Sequence, residues 1–542
     1  MAPITGTATA PENKSASSTT SHGGGWSTAP FILASVVGMT VASGGWLNNL
    51  IVFLIQEFNI KNIDAAQISN FVNACTSFFP VAAAIIADAF LGCFSVIWIS
   101  CFVSFLGLIL LVLTVTISGL RPPDCKSESS SCACPSGLQY AVLYTALALV
   151  SIGAGATRFT LGTMGANQFA RPDHQSTYFN WYFIALYGAL FASATAIVYV
   201  EDNVSWFAGY AICASANVIG LVSFLAGKRY YRHDRPHGSP FASLARVVVA
   251  TFRKRKLNSS SSTVDYYYGE KGVEKAAISS LRLLNRAAII TEGDIAMDGS
   301  IAKPWKLCTM QQVEDLKTLI RILPLWSSSI FLSTPIGIQV SLTVLQALAT
   351  DRHLGPGRHF QFPAGSMIIF TFLATVVCLG LFGHCLWPLW KRVTGKQVTS
   401  LQQLGLGHAL TIGSMAVSAL VESKRRRAQS PISVLWLVPQ MAIVGSGEAC
   451  HFPGQVRFYY QEFPSSLKSM STAMISMLIG IGFYLSTALV DLVRRATAWL
   501  PDDIDEGRVD NVYWMLVVIG VLNFGYFLGC CWFFKNKNGD DE

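Results

Sequence analysis

Apolar runs of about twenty residues alternate with shorter polar segments along most of this chain. A run of that length, wound as an α-helix, crosses the hydrocarbon core of a bilayer. We trace about twelve such runs, at residues 30–55, 67–87, 94–118, 138–163, 178–199, 204–227, 316–348, 361–386, 401–421, 432–453, 467–490 and 511–534. The pattern predicts an all-α polytopic membrane protein with about twelve transmembrane helices.

The longest polar interruption, residues 228–311, divides these runs into six and six. This division predicts two six-helix bundles, at residues 29–227 and 312–534, joined by a linker. Residues 1–28 are polar and contain no apolar segment, which is typical of a disordered tail. A short second tail, residues 535–542, follows the last run.

The linker is rich in basic residues, namely Lys228, Arg229, Arg232, Arg235, Arg246 and Arg253–Lys256. Because cytoplasmic loops are enriched in Lys and Arg, the linker is predicted to be cytoplasmic, and both termini with it. Its segment 276–290 has apolar residues at helical spacing, which predicts an amphipathic helix. One basic cluster, residues 424–427, conflicts with this orientation because it follows the ninth run and falls outside.

Composition narrows the class of protein further. Hydrophobic residues make up 52% and charged residues 13% of the 542 positions, which excludes a soluble protein of this size. The net charge of +8 comes mostly from short loops, so it indicates no nucleic-acid partner. The cysteines show no spacing typical of a metal site, and we expect neither a metal nor a cofactor. One outer loop contains three cysteines, Cys125, Cys132 and Cys134. They could form a disulfide or stay as free thiols, and the sequence leaves both alternatives open.

Two ionisable residues stand deep inside apolar runs, Arg158 in the fourth and Glu448 in the tenth. Such residues face a bundle interior or an aqueous cavity, because a charge in hydrocarbon is costly. Each follows a Gly-x-Gly sequence, which permits close helix approach or a local break. Two interpretations of Arg158 and Glu448 stay open: a static structural ion pair, or a pair that binds substrate or gates transport. Asn48 and Asn49 either line the same path or bond between helices. No arrangement typical of an enzyme is present at this depth.

Several segments resemble the plant nitrate/peptide transporter family, a group of the proton-coupled oligopeptide transporters. They are GAGATRFTLGTMGANQF, LVPQMAIVGSGEACHFPGQVRFYYQEFPSSLKS, ADAFLGCF, LRLLNRAAI and KLCTMQQVEDLKTLIRILPLW. The resemblance runs from about Trp26 to Phe534. It implies the major facilitator superfamily fold and alternating access, in which one bundle rocks against the other around a central site.

The resemblance also implies roles for individual residues. Arg158 stands where the family has a lysine that helps to bind the negative end of a substrate, and Glu448 stands on the family's tenth-helix glutamate. With Asn49, these two are our candidate substrate-binding residues. Asp88 and Gly92 match the family's loop between helices two and three. The usual basic residue of that loop is replaced by Cys93, which weakens the case for gating by charge pairing there.

The first helix departs most from the family pattern. The family's ExxER proton-coupling motif aligns with Val36, Met39 and Thr40, and no titratable side chain occurs between Phe31 and Leu54. A proton needs an acid or a base to bind to, so coupling through this helix is expected to be weakened or absent. Apolar replacement of this motif resembles the nitrate-excretion subgroup of the family.

These observations together predict a low-affinity transporter of small inorganic anions in the plasma membrane. Nitrate efflux is the first expectation and chloride the second, because the guanidinium of Arg158 matches a planar oxyanion. The partners expected are the anion and the lipid bilayer, and the oligomeric state stays open. The alternative is a proton-coupled or facilitative carrier of a larger plant metabolite, such as a glycoside, a hormone conjugate or a peptide. A receptor or scaffold that transports nothing is the third hypothesis.

Overall fold

Twelve long helical spans are present in the part of the chain that the computed structural model describes. That part comprises residues 24–123, 134–169, 171–232, 240–256, 266–269, 281–297, 299–354, 360–463 and 470–539. The N-terminal six are span 1 (Ala29–Asn48 and Leu50–Phe58), span 2 (Asn62–Ile86, continued by the π-helix Ala87–Leu91), span 3 (Gly92–Thr116), span 4 (Gly137–Asn167), span 5 (Pro172–Ala192, the π-helix Ser193–Ile197 and Val198–Asn203) and span 6 (Trp206–Ala226).

The C-terminal six are span 7 (Met310–Leu348), span 8 (Ile368–Leu381, the π-helix Phe382–Leu386 and Trp387–Thr394), span 9 (Ser400–Arg427), span 10 (Val438–Glu462), span 11 (Met470–Ala496) and span 12 (Val509–Gly539). Short 3₁₀ turns occur at Ser118–Leu120, Gly227–Arg229, Arg282–Ala288, Ala364–Met367 and Val434–Leu437. Two antiparallel strands, His353–Leu354 and Phe360–Gln361, form a hairpin between spans 7 and 8. We call the end of the molecule that bears the linker the linker side, and the opposite end the far side.

The structure confirms an all-α, multi-pass membrane protein. Ten of the described helices are long and apolar enough to cross a membrane, and one of these, Asn62–Thr116, contains spans 2 and 3. The chain turns between those two spans at Gly92, whose φ of +74° suits glycine. Span 10 is not among the ten, because its segment Val438–Glu462 includes Gln, Glu, His and Arg side chains.

Spans pack in corresponding ways within the two halves. Span 3 lies against span 4 and span 1 against span 6, while span 9 lies against spans 10 and 12. Contacts between the halves join span 2 to span 11 and span 5 to span 8. Large apolar side chains on the outer faces, such as Phe102, Phe183 and Leu522, are exposed, as lipid-facing residues must be.

The Gly-x-Gly sequences of spans 4 and 10 produce close helix approach rather than a break. A Cβ at Gly155 would overlap the carbonyl oxygen of Thr76 on span 2, and one at Gly445 would overlap that of Thr371 on span 8. Both spans are continuous α-helices through these positions. The sequence left close helix packing and a local helix break as alternatives, and the structure shows close packing.

The linker differs from its prediction. Its α-helix is Pro240–Arg253, whereas the described part of the segment 276–290 contains the 3₁₀ turn Arg282–Ala288. Backbone hydrogen bonds hold that turn to its neighbours, including one of 3.0 Å from the Cys308 N–H to the Ala287 carbonyl. The buried face of the linker helix packs with Ala287 and Ala288 onto the beginning of span 7. The linker is therefore attached to the C-terminal half.

Part of the predicted N-terminal tail is ordered. The backbone N–H groups of Gly24 and Gly25 donate to the carbonyls of Tyr230 and Gln168, at 2.7 and 2.8 Å. The Trp26 ring also contacts Phe169 edge to face. Residues 24–28 are thus fastened to the ends of spans 4 and 6. Residues 1–23 lie outside the described part of the chain, as do Cys125 and Cys132 of the outer loop.

The basic cluster 424–427, which conflicted with the predicted orientation, is compensated by nearby acids. Arg425 forms ion pairs with Glu422, at 2.9 Å, and with Asp505, while Arg426 pairs with Asp510 at 3.1 Å. These arginines also occupy the last turn of span 9, where the helix dipole favours positive charge. The cluster has local structural partners, so it is weak as a signal of orientation.

Candidate functional site

A cavity of about 320 Å³ lies between the two halves of the molecule. Its walls come from spans 1, 2, 4 and 5 of the N-terminal half and from spans 7, 8, 10 and 11 of the C-terminal half. The four remaining spans contribute no residue to this lining. The cavity is therefore central, and relative movement of the two bundles would change its shape.

Arg158 and Glu448 both line this cavity, from opposite halves of the molecule. Arg158 is exposed although it lies in the interior of span 4, which means that its side chain opens into the cavity. The hydroxyl of Tyr182 donates a 3.0 Å hydrogen bond to the Arg158 carbonyl and links spans 5 and 4 there. Tyr187 lies within electrostatic range of both charges. Among the ion pairs of the described residues, none joins Arg158 to Glu448, so the two side chains share the cavity rather than a direct contact.

Span 1 presents no charge to the cavity. Val36, Met39 and Thr40, the three positions that match the family's proton-coupling motif, all belong to the cavity lining. Val36 is 3% and Met39 is 7% exposed, so both side chains are largely covered by neighbouring helices. The wall that would hold two acids and a base in the family pattern is here aliphatic, with one hydroxyl.

Asn49 does not line the cavity in this structure, and its role in binding substrate stays a prediction. Asn48 lines it instead. Span 1 breaks between its two helical segments at Asn49, which is 1% exposed and points toward Gly365 at the beginning of span 8. Neighbouring helical residues differ in direction by about 100°, so a shift of one position exchanges a cavity residue for a packed one.

Polar side chains that the sequence analysis missed form a further part of the wall. Span 2 contributes Ser69, Asn73, Thr76 and Ser77. The last three follow Ser69 by four, seven and eight residues, which places all four on one face of a helix, and this spacing was the available signal. Ser333, Thr371 and Ser476 add hydroxyl groups from the C-terminal half. The hydroxyls of Thr76, Ser333, Thr371 and Ser476 each donate to a backbone carbonyl here. Donation to an oxyanion therefore falls to the Asn73 amide and to the hydroxyls of Ser69 and Ser77.

The loop residues Asp88 and Gly92 are far less informative. Gly92 has open space around its Cα, with no atom within 4 Å of the position that a Cβ would take. The side chain of Asp88 lies outside the described part of the structure. Gating by this loop stays a prediction. In the described residues no group of three His, Cys, Asp or Glu side chains could hold a metal ion.

Comparison with known proteins relates this chain to membrane transporters. Residues 94–506 match the POT family. The chain is 52% identical over 528 residues to Protein NRT1/PTR FAMILY 2.3 of Arabidopsis thaliana, covering 96% of this chain and 94% of that protein. It is 50% identical over 537 residues to NRT1/PTR FAMILY 2.7 of the same plant, covering 97% and 95%.

Among solved structures, the POT family transporter PepTSo superposes with a TM-score of 0.69 at 17% identity, covering 94% of this chain and 98% of that one. At this identity the likeness shows the fold alone, which is that of the major facilitator superfamily. The family predicted from the sequence is confirmed. The chain, with its central cavity between two six-span halves, therefore belongs to the POT family of membrane transporters and is related to the NRT1/PTR proteins.

Proposed function

We propose that this transporter carries a small inorganic anion, nitrate first and chloride second, out of the cell across the plasma membrane. Transport would proceed with low affinity and by alternating access, as the two bundles rock about the central cavity. The observation that carries this proposal is that one cavity is lined both by an exposed arginine, Arg158, and by a first span that presents no charged side chain to it. Arg158 supplies the anion ligand, and Glu448 on the opposite wall is its partner in gating.

The ligand argument rests on the chemistry of the cavity wall. A guanidinium is always charged and presents a planar fork of donors that matches a planar oxyanion such as nitrate. The Asn73 amide and the Ser77 hydroxyl of span 2 line the same cavity and can complete the coordination. A zwitterionic peptide would need charged groups for both of its ends; Arg158 and Glu448 supply one charge each, and span 1 adds none.

The direction of transport follows from electrostatics. One elementary charge that crosses a membrane gains or loses about 2.3 kcal/mol per 100 mV. An anion that leaves an inside-negative cell moves down this gradient and needs no coupled proton. Uptake of the same anion would need protons to move inward with it. A carrier whose first span lacks the acids for that coupling is suited to efflux.

The size of the cavity favours one alternative. Ligand pockets for small organic molecules are roughly 300–1,000 Å³, so a cavity of about 320 Å³ exceeds what nitrate alone requires. Aromatic rings on its wall, from Phe372, Phe452, Phe483 and Tyr182, could contact an organic substrate. A carrier of a larger plant metabolite is therefore the second candidate, with Arg158 binding a carboxylate or similar group.

The test measures nitrate efflux from liposomes that contain the purified protein, with the membrane potential imposed by a potassium gradient and valinomycin. We expect efflux to rise as the inside becomes more negative. Arg158→Ala should lower efflux roughly tenfold or more, because a charge-assisted hydrogen bond contributes about 1.5–3 kcal/mol. Arg158→Lys should retain part of the activity, since the charge survives but the fork does not.

The matched control is Arg171→Ala, which removes an exposed arginine at the beginning of span 5 that is not part of the cavity lining. It should leave efflux unchanged. If Arg158→Ala transports nitrate as the wild type does, the assigned ligand is wrong. If the wild type moves no inorganic anion but an organic anion competes for binding, the second candidate replaces the first. Absence of any flux would support the scaffold hypothesis.

A further inference from the structure

Glu201 is a buried carboxyl group that the sequence analysis did not single out. It lies in the last helical segment of span 5, Val198–Asn203, and is 2% exposed. The group that faces its carboxyl oxygens is the neutral amide of Asn49, and no ion pair among the described residues reaches them. An ionised carboxylate in such a place loses its hydration and gains at most a hydrogen bond from that amide, at a cost of several kcal/mol. The group is therefore neutral in this arrangement, which requires a bound proton.

No positively charged side chain among the described residues forms an ion pair with Glu201. Asn49, at the break in span 1, faces it, is itself 1% exposed and offers only a neutral amide to the carboxyl group. Span 6 contributes two titratable groups, Tyr210 and Cys213, on which Glu201 acts electrostatically. Asp202 is the nearest carboxyl on its own span and has the same sign of charge.

Two further charges complete the neighbourhood on the far side. Glu57 of span 1 lies within electrostatic range of Tyr210 and forms an ion pair with Arg121. Arg352 lies in the hairpin region after span 7, but it pairs with Asp202, at 3.4 Å between Nη1 and Oδ2. Each of these groups thus has its own ion-pair partner, whereas Glu201 has none among the described residues.

Span 6 covers Glu201 at Gly209, and the rest of the cover over this cluster comes from the other half of the molecule. The 3₁₀ turn Ala364–Met367, before span 8, contacts the segment Val198–Asn203 directly. The Ser366 hydroxyl donates a 2.7 Å hydrogen bond to the carbonyl of Ala194, and Gly365 lies against Asn49. The rings of Tyr199 and Phe360 stack with centroids 5.9 Å apart. Separation of the two bundles on the far side would remove the part of the cover that the C-terminal half supplies.

We propose that Glu201 is a proton-binding site of this transporter, sealed by the turn Ala364–Met367 when the far side is closed and hydrated when the far side opens. Hydration lets the carboxyl ionise, so opening releases a proton to the far side and closing takes one up from it. Because the proton enters and leaves on the same side, it changes the rate of transport and adds no driving force. The inference rests on the proposed alternating access, and it gives the carrier a response to pH that span 1 does not provide.

The sign of the response follows from linkage. A transition that releases a proton is favoured by high pH and opposed by low pH, by at most about tenfold per pH unit for one proton. Acidification of the far-side compartment should therefore slow the opening step. Anion flux is expected to fall as the pH of that compartment decreases from 7.5 to 5.5.

The experiment measures anion flux in proteoliposomes at fixed membrane potential while the pH of the far-side compartment varies. Glu201→Gln is neutral at every pH and nearly isosteric, so its flux should be independent of pH over this range. The matched control is Glu57→Gln, a far-side carboxyl that already has an ion-pair partner, and it should respond to pH as the wild type does. A Glu201→Gln variant with the full pH response of the wild type would overturn the proposal.

A second measurement on the wild-type protein keeps the test independent of folding and of flux. Hydrophobic carbodiimides add to protonated carboxyl groups in apolar surroundings to give a stable N-acylurea, which peptide mass spectrometry locates. We expect modification at Glu201 near neutral pH, with less when the protein is trapped open on the far side. No modification at Glu201 under conditions that modify another buried carboxyl would also overturn the proposal. If the wild type carries no anion at all, the proposed function fails while this labelling still decides the assignment of Glu201.

Discussion

At the scale of single residues, the position of Arg158 depends on glycines that leave no room for a side chain. Gly155 lies about one helical turn before Arg158, and its Cα meets the backbone of span 2 at Thr76. Gly153 meets span 3 in the same way, at Ser100 and Ser104. Backbone atoms cannot rotate aside as side chains can, so these contacts fix the distance between the helices. The guanidinium is thereby held at a set position on the cavity wall.

Gly155→Ala should therefore destabilise the protein. The added Cβ would overlap the Thr76 carbonyl and lie 2.9 Å from the Cβ of Phe79. Overpacking of this kind costs about 1–3 kcal/mol of unfolding free energy. The measurement is the thermal unfolding midpoint of the purified protein in detergent, which should fall. Gly188→Ala on span 5 is the matched control, since nothing lies within 4 Å of its added Cβ. Equal midpoints for the two variants would contradict this account.

Residue-level prediction from the sequence succeeded where depth in an apolar run was the signal and failed where local geometry decided. Arg158 and Glu448 stand out because a charge within a long apolar run must reach a polar space. Asn49 was placed on the cavity wall because the sequence does not show that span 1 breaks there. Glu201 went unnoticed because it precedes Asp202 near the end of a run, where charges are ordinarily solvated.

At the scale of elements, the linker is held together by a buried ion pair. Asp294 is fully buried, and its carboxylate bonds Lys254 at 2.9 Å and Lys306 at 3.0 Å. Burial alone would raise the pKa of Asp294, but hydrogen bonds from Thr291, Lys254 and Lys306 outweigh it and lower the pKa to about 2. Lys254 is 3% exposed and also donates to the Ile289 carbonyl. This pair connects the linker helix to the segment before span 7.

Asp294→Asn should loosen the linker strongly. Removal of one partner leaves Lys254 as an uncompensated buried charge, at a cost of about 3–5 kcal/mol. Limited proteolysis at neutral pH should cut the variant within residues 240–308 much faster than the wild type. The matched control is Glu292→Gln, an exposed carboxylate two residues away, which should leave the cleavage rate unchanged. Equal cleavage of Asp294→Asn and wild type would show that the ion pair does not hold the linker.

Acid should destabilise the wild-type linker, because its buried Asp294 becomes protonated. The folded pKa of Asp294, about 2, lies below the unfolded value of about 3.9. The stability from this group is therefore complete above about pH 4 and is lost as the pH falls toward 2. Pepsin, which is active in this range, should cut the wild-type linker increasingly below pH 4. Cleavage that is constant from pH 4 to pH 2 would contradict the assignment.

Prediction of elements from the sequence was accurate for the spans and poor for the linker. Long apolar runs specify transmembrane helices because every backbone group must be bonded within the span. The linker has no such constraint. Its helix formed at Pro240–Arg253, where Leu244, Val247 and Ala250 pack onto the beginning of span 7. The helical spacing in residues 276–290 was overridden by the backbone contacts of the turn Arg282–Ala288.

At the scale of the whole molecule, ion pairs between the halves are found on the far side of the described structure. Arg494 of span 11 pairs with Asp64 of span 2, Lys61 pairs with Asp502, and Arg352 pairs with Asp202. These are contacts between the two bundles rather than within one. Ion pairs that solvent reaches, such as the partly exposed Arg494–Asp64 pair, each contribute less than about 1 kcal/mol. They can favour a closed far side without preventing the opening that alternating access requires.

Weakening one of these pairs should shift the carrier toward its far-side-open form. Asp64→Asn removes the charge that pairs with Arg494, and a loss below about 1 kcal/mol allows at most a roughly fivefold shift in population. The readout is labelling by a membrane-impermeant maleimide, located by peptide mass spectrometry, at a Ser341→Cys reporter. Ser341 is buried and accepts a 3.2 Å hydrogen bond from Asn70 across the two bundles.

The parent protein carries the Ser341→Cys reporter alone, and the test protein carries the reporter together with Asp64→Asn. Both have lost the Asn70–Ser341 hydrogen bond, so a difference in their labelling rates is due to Asp64→Asn. Labelling should be severalfold faster in Asp64→Asn. The matched control is Glu506→Gln, an exposed far-side acid with no ion pair among the described residues, and it should label at the parent's rate. If Asp64→Asn also labels at the parent's rate, the charges do not hold the far side closed. Closure would then depend on the packing of span 2 against span 11 and of span 5 against span 8. In that case the buried Glu201 cluster, beneath the span 5 contact, would be the stronger determinant of opening.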